Sequence, residues 1–292
     1  MLNVLITGAG GQLGQALCRL AAVSPNNYLA TDAAELDITD REAVEKTVAE
    51  RKIDVIINCA AYTDVERAEE DEAAADRINR EAAANLAAAA ARYDALLIHV
   101  STDYVFDGKS CMPYREEDPT APQNAYGRTK RAGEEAVVAS GCRYLILRTA
   151  WLYSETGKNF LRTMLRLTAE RETLDVVCDQ VGTPTYAGDL ALAIFSIVEN
   201  GLHAGNEGIY HFTDEGVCSW YDFAVEIAAA AGNDRCRIRP CRTEDYPAKA
   251  ARPAWSVLDK SKIRKRFGIE IPHWRESMLY CLQRMKTNAK EA

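Results

Sequence analysis

The stretch LNVLITGAGGQLG, residues 2–14, is an apolar run that leads directly into the glycines Gly8, Gly11 and Gly14. Its aliphatic and β-branched half predicts a strand, and the glycines predict a tight turn into a helix that begins at Gln12. Such a turn lets the backbone approach a pyrophosphate, while the first amides of the helix supply donors and the positive end of its dipole. The spacing is Gly-x-x-Gly-x-x-Gly, which differs from the Gly-x-Gly-x-x-Gly of typical dehydrogenases. A glycine-rich turn without a ligand is the alternative, but the position between a strand and a helix favours dinucleotide binding.

Strand-like and helix-like segments alternate through the first half of the chain, as in a parallel sheet with covering helices. The strands predicted after the first are residues 28–32, 54–58, 96–101 and 144–149. We therefore predict an α/β fold, a Rossmann-like doubly wound parallel sheet, with a dinucleotide-binding domain over residues 1–150.

After residue 150 the regular alternation loosens. Residues 151–292 are therefore predicted to form mainly a smaller C-terminal substrate-binding subdomain, with residues from about 185 to 215 returning to the first domain. Helices are predicted near 158–170, 188–200 and 219–231, and the last has Ser219 as its N-cap and Gly232 as its stop.

The composition is that of a cytoplasmic protein with a full core. The chain has 292 residues, of which 48% are hydrophobic. It has neither an apolar run of about 20 residues nor a basic-then-apolar leader, so a membrane span and a secretory signal are not predicted. Nine cysteines without a Cys-x-x-Cys pair indicate reduced thiols, and four scattered histidines predict no metal site. A formal charge of -8 argues against a nucleic-acid partner.

Ligands of a parallel doubly wound sheet bind beyond the carboxyl ends of its strands. Asp32 ends the second predicted strand, 18 residues after Gly14, where a carboxylate can bond a ribose hydroxyl of a dinucleotide. Between Leu20 and Asp40 there is no lysine or arginine to pair with a 2′-phosphate, which favours NADH over NADPH. A simple turn residue is the alternative for Asp32.

Candidate residues also follow the next two strands. Ala60 and Ala61 are small enough to let a cofactor lie flat against the backbone, and Thr102 can hydrogen-bond a carbonyl oxygen that gains negative charge. Tyr126 and Lys130 are four residues apart on a predicted helix, so the ammonium can lie beside the phenol and lower its pKa. The pair would then donate a proton, although a solvated helix face is the alternative for the pair alone.

These features together resemble the short-chain dehydrogenase/reductase superfamily, in its extended branch that modifies nucleotide sugars. Within that branch, the chain resembles the dTDP-4-dehydrorhamnose reductases over nearly its whole length. The motifs that carry this likeness are VSTDYVFDG (100–108), YGRTK (126–130), RTAWLY (148–153), NF (159–160), DQVGTPT (179–185) and RP (252–253).

The resemblance implies which residues bind cofactor and substrate. The cofactor would be held by Gly8, Gly11, Gln12, Leu13, Gly14, Asp32, Asp37, Ile38, Ala60, Ala61, Tyr62, Thr63, Tyr126 and Lys130. The substrate would meet Thr102, Asp103, Tyr104, Trp151 and Arg252. Trp151 would offer an aromatic face to a deoxysugar, with a core position as the alternative, and Arg252 would pair with the diphosphate.

Some relatives form dimers around a magnesium ion held by acidic residues, one of them just after the glycine motif. In this chain that position is Gln15, which has no charge. The resemblance therefore leaves a homodimer open but predicts no metal.

The implied activity is reduction of the C4 ketone of dTDP-4-dehydro-β-L-rhamnose by hydride from NADH or NADPH, which yields dTDP-β-L-rhamnose for surface polysaccharide. Tyr126 would donate the proton, Lys130 would lower the tyrosine pKa and hold the nicotinamide ribose, and Thr102 would orient the carbonyl. Two alternatives stay open. One is a non-catalytic subunit resembling the regulatory β subunit of methionine adenosyltransferase, and the other is a different nucleotide-sugar reductase, epimerase or dehydratase.

Overall fold

The structure, a computed structural model, describes residues 1–246 and 248–291, with the side chains up to Thr287. Residues 247 and 292 of the predicted C-terminal subdomain lie outside this description. The strands are β1 (Asn3–Thr7), β2 (Asn27–Thr31), β3 (Val55–Asn58), β4 (Leu96–Thr102), β5 (Arg143–Thr149), β6 (Leu152–Tyr153), β7 (Thr173–Val177), β8 (Val181–Gly182), β9 (Thr185–Tyr186), β10 (Gly208–His211), β11 (Cys218–Ser219) and β12 (Arg237–Cys241).

Helices cover both faces of the main sheet, and those that follow β5 also form a separate apolar cluster. They are α1 (Gln12–Ala21), α2 (Arg41–Glu50), α3 (Val65–Glu70), α4 (Glu72–Asp76), α5 (Ala82–Arg92), α6 (Ala125–Ala139), α7 (Phe160–Glu170), α8 (Ala187–Glu199), α9 (Trp220–Ala231), α10 (Ser261–Phe267) and α11 (Trp274–Glu291). A π-helical turn, Arg77–Glu81, joins α4 to α5.

The main sheet has six parallel strands in the order β2-β1-β3-β4-β5-β10. The chain reverses direction across the sheet after β2, so β1 and β3 flank the switch point of a doubly wound fold. The predicted fold class is confirmed. The strand predicted at 96–101 extends to Thr102, which is therefore the last residue of β4 and not the first residue after it.

Successive strand residues pack on opposite faces of this sheet. Val4 and Ile6 contact one apolar cluster with α1, α8 and α10, whereas Leu5 contacts another with α2, α5 and α6. All three side chains are fully buried, which stabilises the fold by roughly 1.5–3 kcal/mol for each. The alanine-rich helix α5 packs closely on the second face because its side chains are small.

The chain after β5 contributes to both the sheet and a third apolar cluster. Helix α8 packs against α1, and β10 pairs with β5, so residues 187–211 lie with the main sheet. Helices α7, α9 and α11 bury their apolar faces against one another and against β7. Ser219 forms a capping box with Asp222 at the start of α9, and Gly232 ends that helix at φ 75°, as predicted.

Within the described parts of the chain, no helix combines the length and the apolar character that crossing a membrane requires.

Candidate active site

A groove of about 940 Å³ runs along the carboxyl ends of β1 to β5. Most residues predicted from the sequence line it: Gly8, Gly11, Gln12, Leu13, Asp32, Asp37, Ile38, Ala60, Ala61, Thr63, Thr102, Asp103, Tyr104, Tyr126, Lys130, Trp151 and Arg252. Gly14 and Tyr62 do not line it. The structure thus brings residues from both halves of the chain to one cleft.

The glycine loop has no room for side chains. Gly8 has φ 66°, and a Cβ there would lie 2.7 Å from the Ala60 nitrogen. A Cβ on Gly14 would lie 2.2 Å from the Gly8 carbonyl oxygen, so Gly14 permits close packing behind the groove instead of lining it. The loop opens helix α1, whose N-cap is Gly11 and whose first amides need partners. This cradle fits the pyrophosphate of a dinucleotide.

Asp32 follows β2 and lines the groove beside the glycine loop. Its Oδ2 accepts a hydrogen bond of 2.7 Å from the Gly10 amide, which holds the carboxylate against the glycine loop. Further along, the Thr39 hydroxyl and amide bond Asp37 and lower the pKa of that carboxyl. Arg77 lines the same end of the groove from the π-helical turn. It was not predicted from the sequence, because it lies far from Asp37 along the chain.

The glycine loop is tied to the segment that follows β6. Oε1 of Gln12 accepts hydrogen bonds from Nδ2 of the Asn159 side chain at 2.9 Å and from the Ser154 hydroxyl at 3.1 Å. These bonds hold Gly157 and Lys158 at the rim of the groove. Lys158 was not predicted, although it immediately precedes the Asn159-Phe160 motif.

Thr102, Tyr126 and Lys130 meet where β4 ends against α6. Nζ of Lys130 donates a hydrogen bond of 2.7 Å to the Val100 carbonyl, and burial lowers the pKa of this lysine to about 8. The sequence predicted that Lys130 would lower the Tyr126 pKa, but in the structure burial raises it, with the Thr102 hydroxyl acting in the opposite direction. The phenol is consequently a protonated donor at neutral pH.

Asp103 and Tyr104 extend this site. Burial raises the pKa of Asp103 to about 7, and its Oδ1 accepts a hydrogen bond of 2.9 Å from Thr102. The Tyr104 ring meets the Tyr126 ring edge-on at 5.4 Å. Its phenol oxygen accepts a hydrogen bond of 3.0 Å from Arg252, which reaches the groove from the C-terminal part of the chain.

Two tryptophans stack at the other wall of the groove. The rings of Trp151 and Trp220 lie 3.5 Å apart at 10°. Trp151 has φ 49°, a left-handed conformation that is uncommon outside glycine, and such outliers concentrate at functional sites. Trp220 was not predicted from the sequence, because no motif or spacing connects it to Trp151. One face of Trp151 is therefore covered by protein.

Gln15 donates a hydrogen bond of 2.7 Å to the Gly10 carbonyl and so belongs to the glycine loop. Among the residues that the structure describes, no group of three or more histidine, cysteine or acidic side chains could hold a metal ion.

Comparisons with known proteins give a consistent family. The model of the RmlD substrate binding domain matches residues 2–287. A dTDP-4-dehydrorhamnose reductase from Burkholderia thailandensis is 44% identical in an alignment 295 residues long, which covers 97% of this chain and 98% of the relative. The crystal structure of a dTDP-4-dehydrorhamnose reductase from Clostridium acetobutylicum has a TM-score of 0.93 and 42% identity, with 98% of this chain and 100% of the other covered. A dTDP-4-dehydrorhamnose reductase from Bacillus anthracis, solved in complex with NADP, has a TM-score of 0.91 and 39% identity, with 97% and 100% covered.

Proposed function

Because the chain belongs to the family of the RmlD substrate binding domain, we propose that it reduces the C4 ketone of dTDP-4-dehydro-β-L-rhamnose to dTDP-β-L-rhamnose. The product would serve rhamnose and surface polysaccharide synthesis. The observation that carries this proposal is the meeting of Thr102, Tyr126 and Lys130 at the end of β4, in the groove that contains the glycine loop.

A bound NADH or NADPH would supply the hydride. The glycine loop with Gln12 and Leu13 would hold its pyrophosphate, and Asp32 would accept from a ribose hydroxyl. The small residues Ala60 and Ala61 would let it lie against the end of β3. Asp37, Ile38 and Thr63 would contact it further along the groove, whereas Gly14 would support the glycine loop from behind.

Tyr126 would deliver the proton to the carbonyl oxygen as the C4 ketone becomes an alcohol. Since its pKa is raised, the phenol carries the proton at neutral pH. The Thr102 hydroxyl would hold the same oxygen in place. Lys130, charged below about pH 8, would stabilise the phenolate that remains after transfer and bind the nicotinamide ribose.

The substrate would extend from this point along the groove toward the C-terminal part of the chain. Asp103 and Tyr104 would contact the sugar, and the Trp151–Trp220 stack would provide an apolar wall beside it. Arg252 would pair with the diphosphate. We accordingly assign cofactor binding mainly to residues 1–150 and substrate binding mainly to residues 151–292, in a cytoplasmic enzyme.

The direct test follows the absorbance of reduced nicotinamide while the purified protein is supplied with the 4-keto sugar nucleotide. One cofactor should be consumed for each sugar reduced. A second reaction contains dTDP-glucose and NAD, and it should yield no 4-keto-6-deoxy product. The residue after Asp103 is Tyr104, and its raised pKa keeps the phenol protonated, so it cannot replace a carboxylate as the base. No turnover in the first reaction, or dehydration in the second, would refute the assignment.

A further inference from the structure

A buried ion pair lies directly beneath the catalytic residues. Glu134 and Arg148 are 0% and 2% exposed, and the guanidinium donates two hydrogen bonds to the carboxylate, at 2.9 and 2.7 Å. The guanidinium also lies over the Phe106 ring, 5.1 Å from its centre. Such a bidentate pair fixes both the distance and the orientation of its partners.

The pair connects α6 and β4, which carry the catalytic residues, to the neighbouring strand β5. Glu134 lies on α6, four residues after Lys130 and eight after Tyr126, and thus on the same side of the helix. Arg148 on β5 is the register partner of Ser101 on β4, one residue before Thr102. The Ser101 hydroxyl donates a hydrogen bond of 2.6 Å to Oε1 of Glu134, so one carboxylate binds both strands.

Resting on the proposed reductase function, we propose that Glu134 and Arg148 are positioning residues that fix Tyr126 and Lys130 on α6 relative to Thr102 at the end of β4. A carboxylate that bonds two neighbouring strands at one register position leaves α6 little freedom to slide or rotate over the sheet. Catalysis is sensitive to such placement, because a shift of about 1 Å in a reacting group can lower a rate about 100-fold.

The charge of Glu134 has a second effect, on Lys130. The other titratable groups that face this lysine are Cys59 after β3, His99 on β4 and Tyr126, one turn earlier on α6. Burial raises the pKa of the Cys59 thiol and of the Tyr126 phenol and lowers that of the His99 imidazole, so all three are neutral at pH 7. The attraction that favours the charged lysine therefore comes from Glu134, and its loss would lower the Lys130 pKa further.

The test uses Glu134→Gln, which keeps the shape and removes the charge, with Glu135→Gln as the matched control. Glu135 is the next residue of the same helix and its side chain is 62% exposed. In Glu134→Gln, kcat at pH 7 should fall at least about tenfold, while the Kd of NADH changes less than about threefold. The alkaline limb of the kcat profile should move to lower pH. The control should match the wild type in all three measurements.

A double variant, Glu134→Gln with Arg148→Met, distinguishes an effect on the positions of the catalytic residues from an effect on the stability of the fold. It removes both buried charges, so it should recover thermal stability relative to Glu134→Gln, whose Arg148 has no carboxylate partner. Its kcat should stay low and its alkaline limb should stay shifted. Recovery of wild-type kcat and pH profile together with stability would overturn the proposal, as would an unchanged kcat in folded Glu134→Gln. Failure of the wild type itself to reduce the sugar would instead refute the proposed function.

Discussion

The guanidinium of Arg252 is held by the carboxylate of Glu66, with Nη2 and Oε1 2.7 Å apart. Glu66 lies on α3, next to the cofactor side of the groove, and Arg252 comes from the C-terminal part of the chain. The hydrogen bond fixes the arginine where its Nη1 also reaches the Tyr104 phenol. A diphosphate arriving here would meet a cation that is already oriented, which lowers the entropy lost on binding.

Replacing Arg252 with alanine should raise the KM for the sugar nucleotide at least about tenfold, because a charge-assisted hydrogen bond is worth about 1.5–3 kcal/mol. The Kd of NADH should change little. Steady-state kinetics and fluorescence titration give the two values. Arg242→Ala is the matched control, since Arg242 pairs with Glu244 and is largely exposed. An unchanged KM in Arg252→Ala would remove this residue from substrate binding.

The parts of the site that follow from local geometry could be predicted from the sequence. Gly8 and Asp32 follow β1 and β2, whose parallel direction follows from the alternation of strand and helix, and a parallel sheet gathers such strand ends along one edge. Tyr126 and Lys130 share a helix face because they are four residues apart. In each case the relationship depends on a few neighbouring residues.

The rest depends on contacts between distant segments. Glu66 and Arg252 form a hydrogen bond although they are 186 residues apart in the sequence, and Trp220 contacts Trp151 through the packing of α9. No local sequence pattern predicts either contact. The predicted direction of the Tyr126 pKa shift was wrong for the same reason. Spacing shows that a lysine is near, but only the folded chain shows that burial of the phenol dominates.

Replacing Tyr126 with phenylalanine should lower kcat roughly 100-fold or more, the scale expected when a positioned general acid is lost. The Kd of NADH should stay within a few-fold, because Thr102 and Lys130 keep their places. Tyr280→Phe is the control, since Tyr280 is 51% exposed and lies on α11. A Tyr126→Phe protein that reduces the ketone at nearly the wild-type rate would show that another group donates the proton.

The protein should bind NADH at least as tightly as NADPH, because the Asp32 carboxylate lies against the Gly10 amide and would repel a 2′-phosphate. Arg77 lines the same end of the groove, so we expect the preference to be modest. Fluorescence titrations with both cofactors measure it. Asp32→Asn should shift the ratio toward NADPH, and Glu50→Gln, at an exposed acidic residue that ends α2, should not. NADPH binding tighter by about tenfold in the wild type, or about 1.4 kcal/mol, would contradict this expectation.

Lys130 should lower the stability of the folded protein at neutral pH even though catalysis needs it. Burial lowers its pKa from 10.5 to about 8, which corresponds to a penalty of about 3 kcal/mol on the charged form. Lys130→Met removes the charge and also the hydrogen bond to the Val100 carbonyl, which stabilises the folded protein by about 1 kcal/mol. The variant should therefore be inactive yet more stable at pH 7 by about 2 kcal/mol, with Tm a few degrees higher.

The pH dependence of that difference gives the decisive measurement. Below about pH 8 the lysine is charged in the folded and the unfolded chain, so the penalty is present in full. Between about pH 8 and 10.5 the unfolded chain binds more protons than the folded one, and the stability contributed by Lys130 rises with pH. The stability advantage of Lys130→Met should accordingly shrink when thermal unfolding is measured at pH 9.5 or so instead of 7, whereas Lys46→Met, at an exposed position, should show no such trend. A Lys130→Met protein that is less stable than the wild type at pH 7 would show that the buried ammonium is not a source of instability. A stability difference between the two proteins that does not shrink at alkaline pH would show the same.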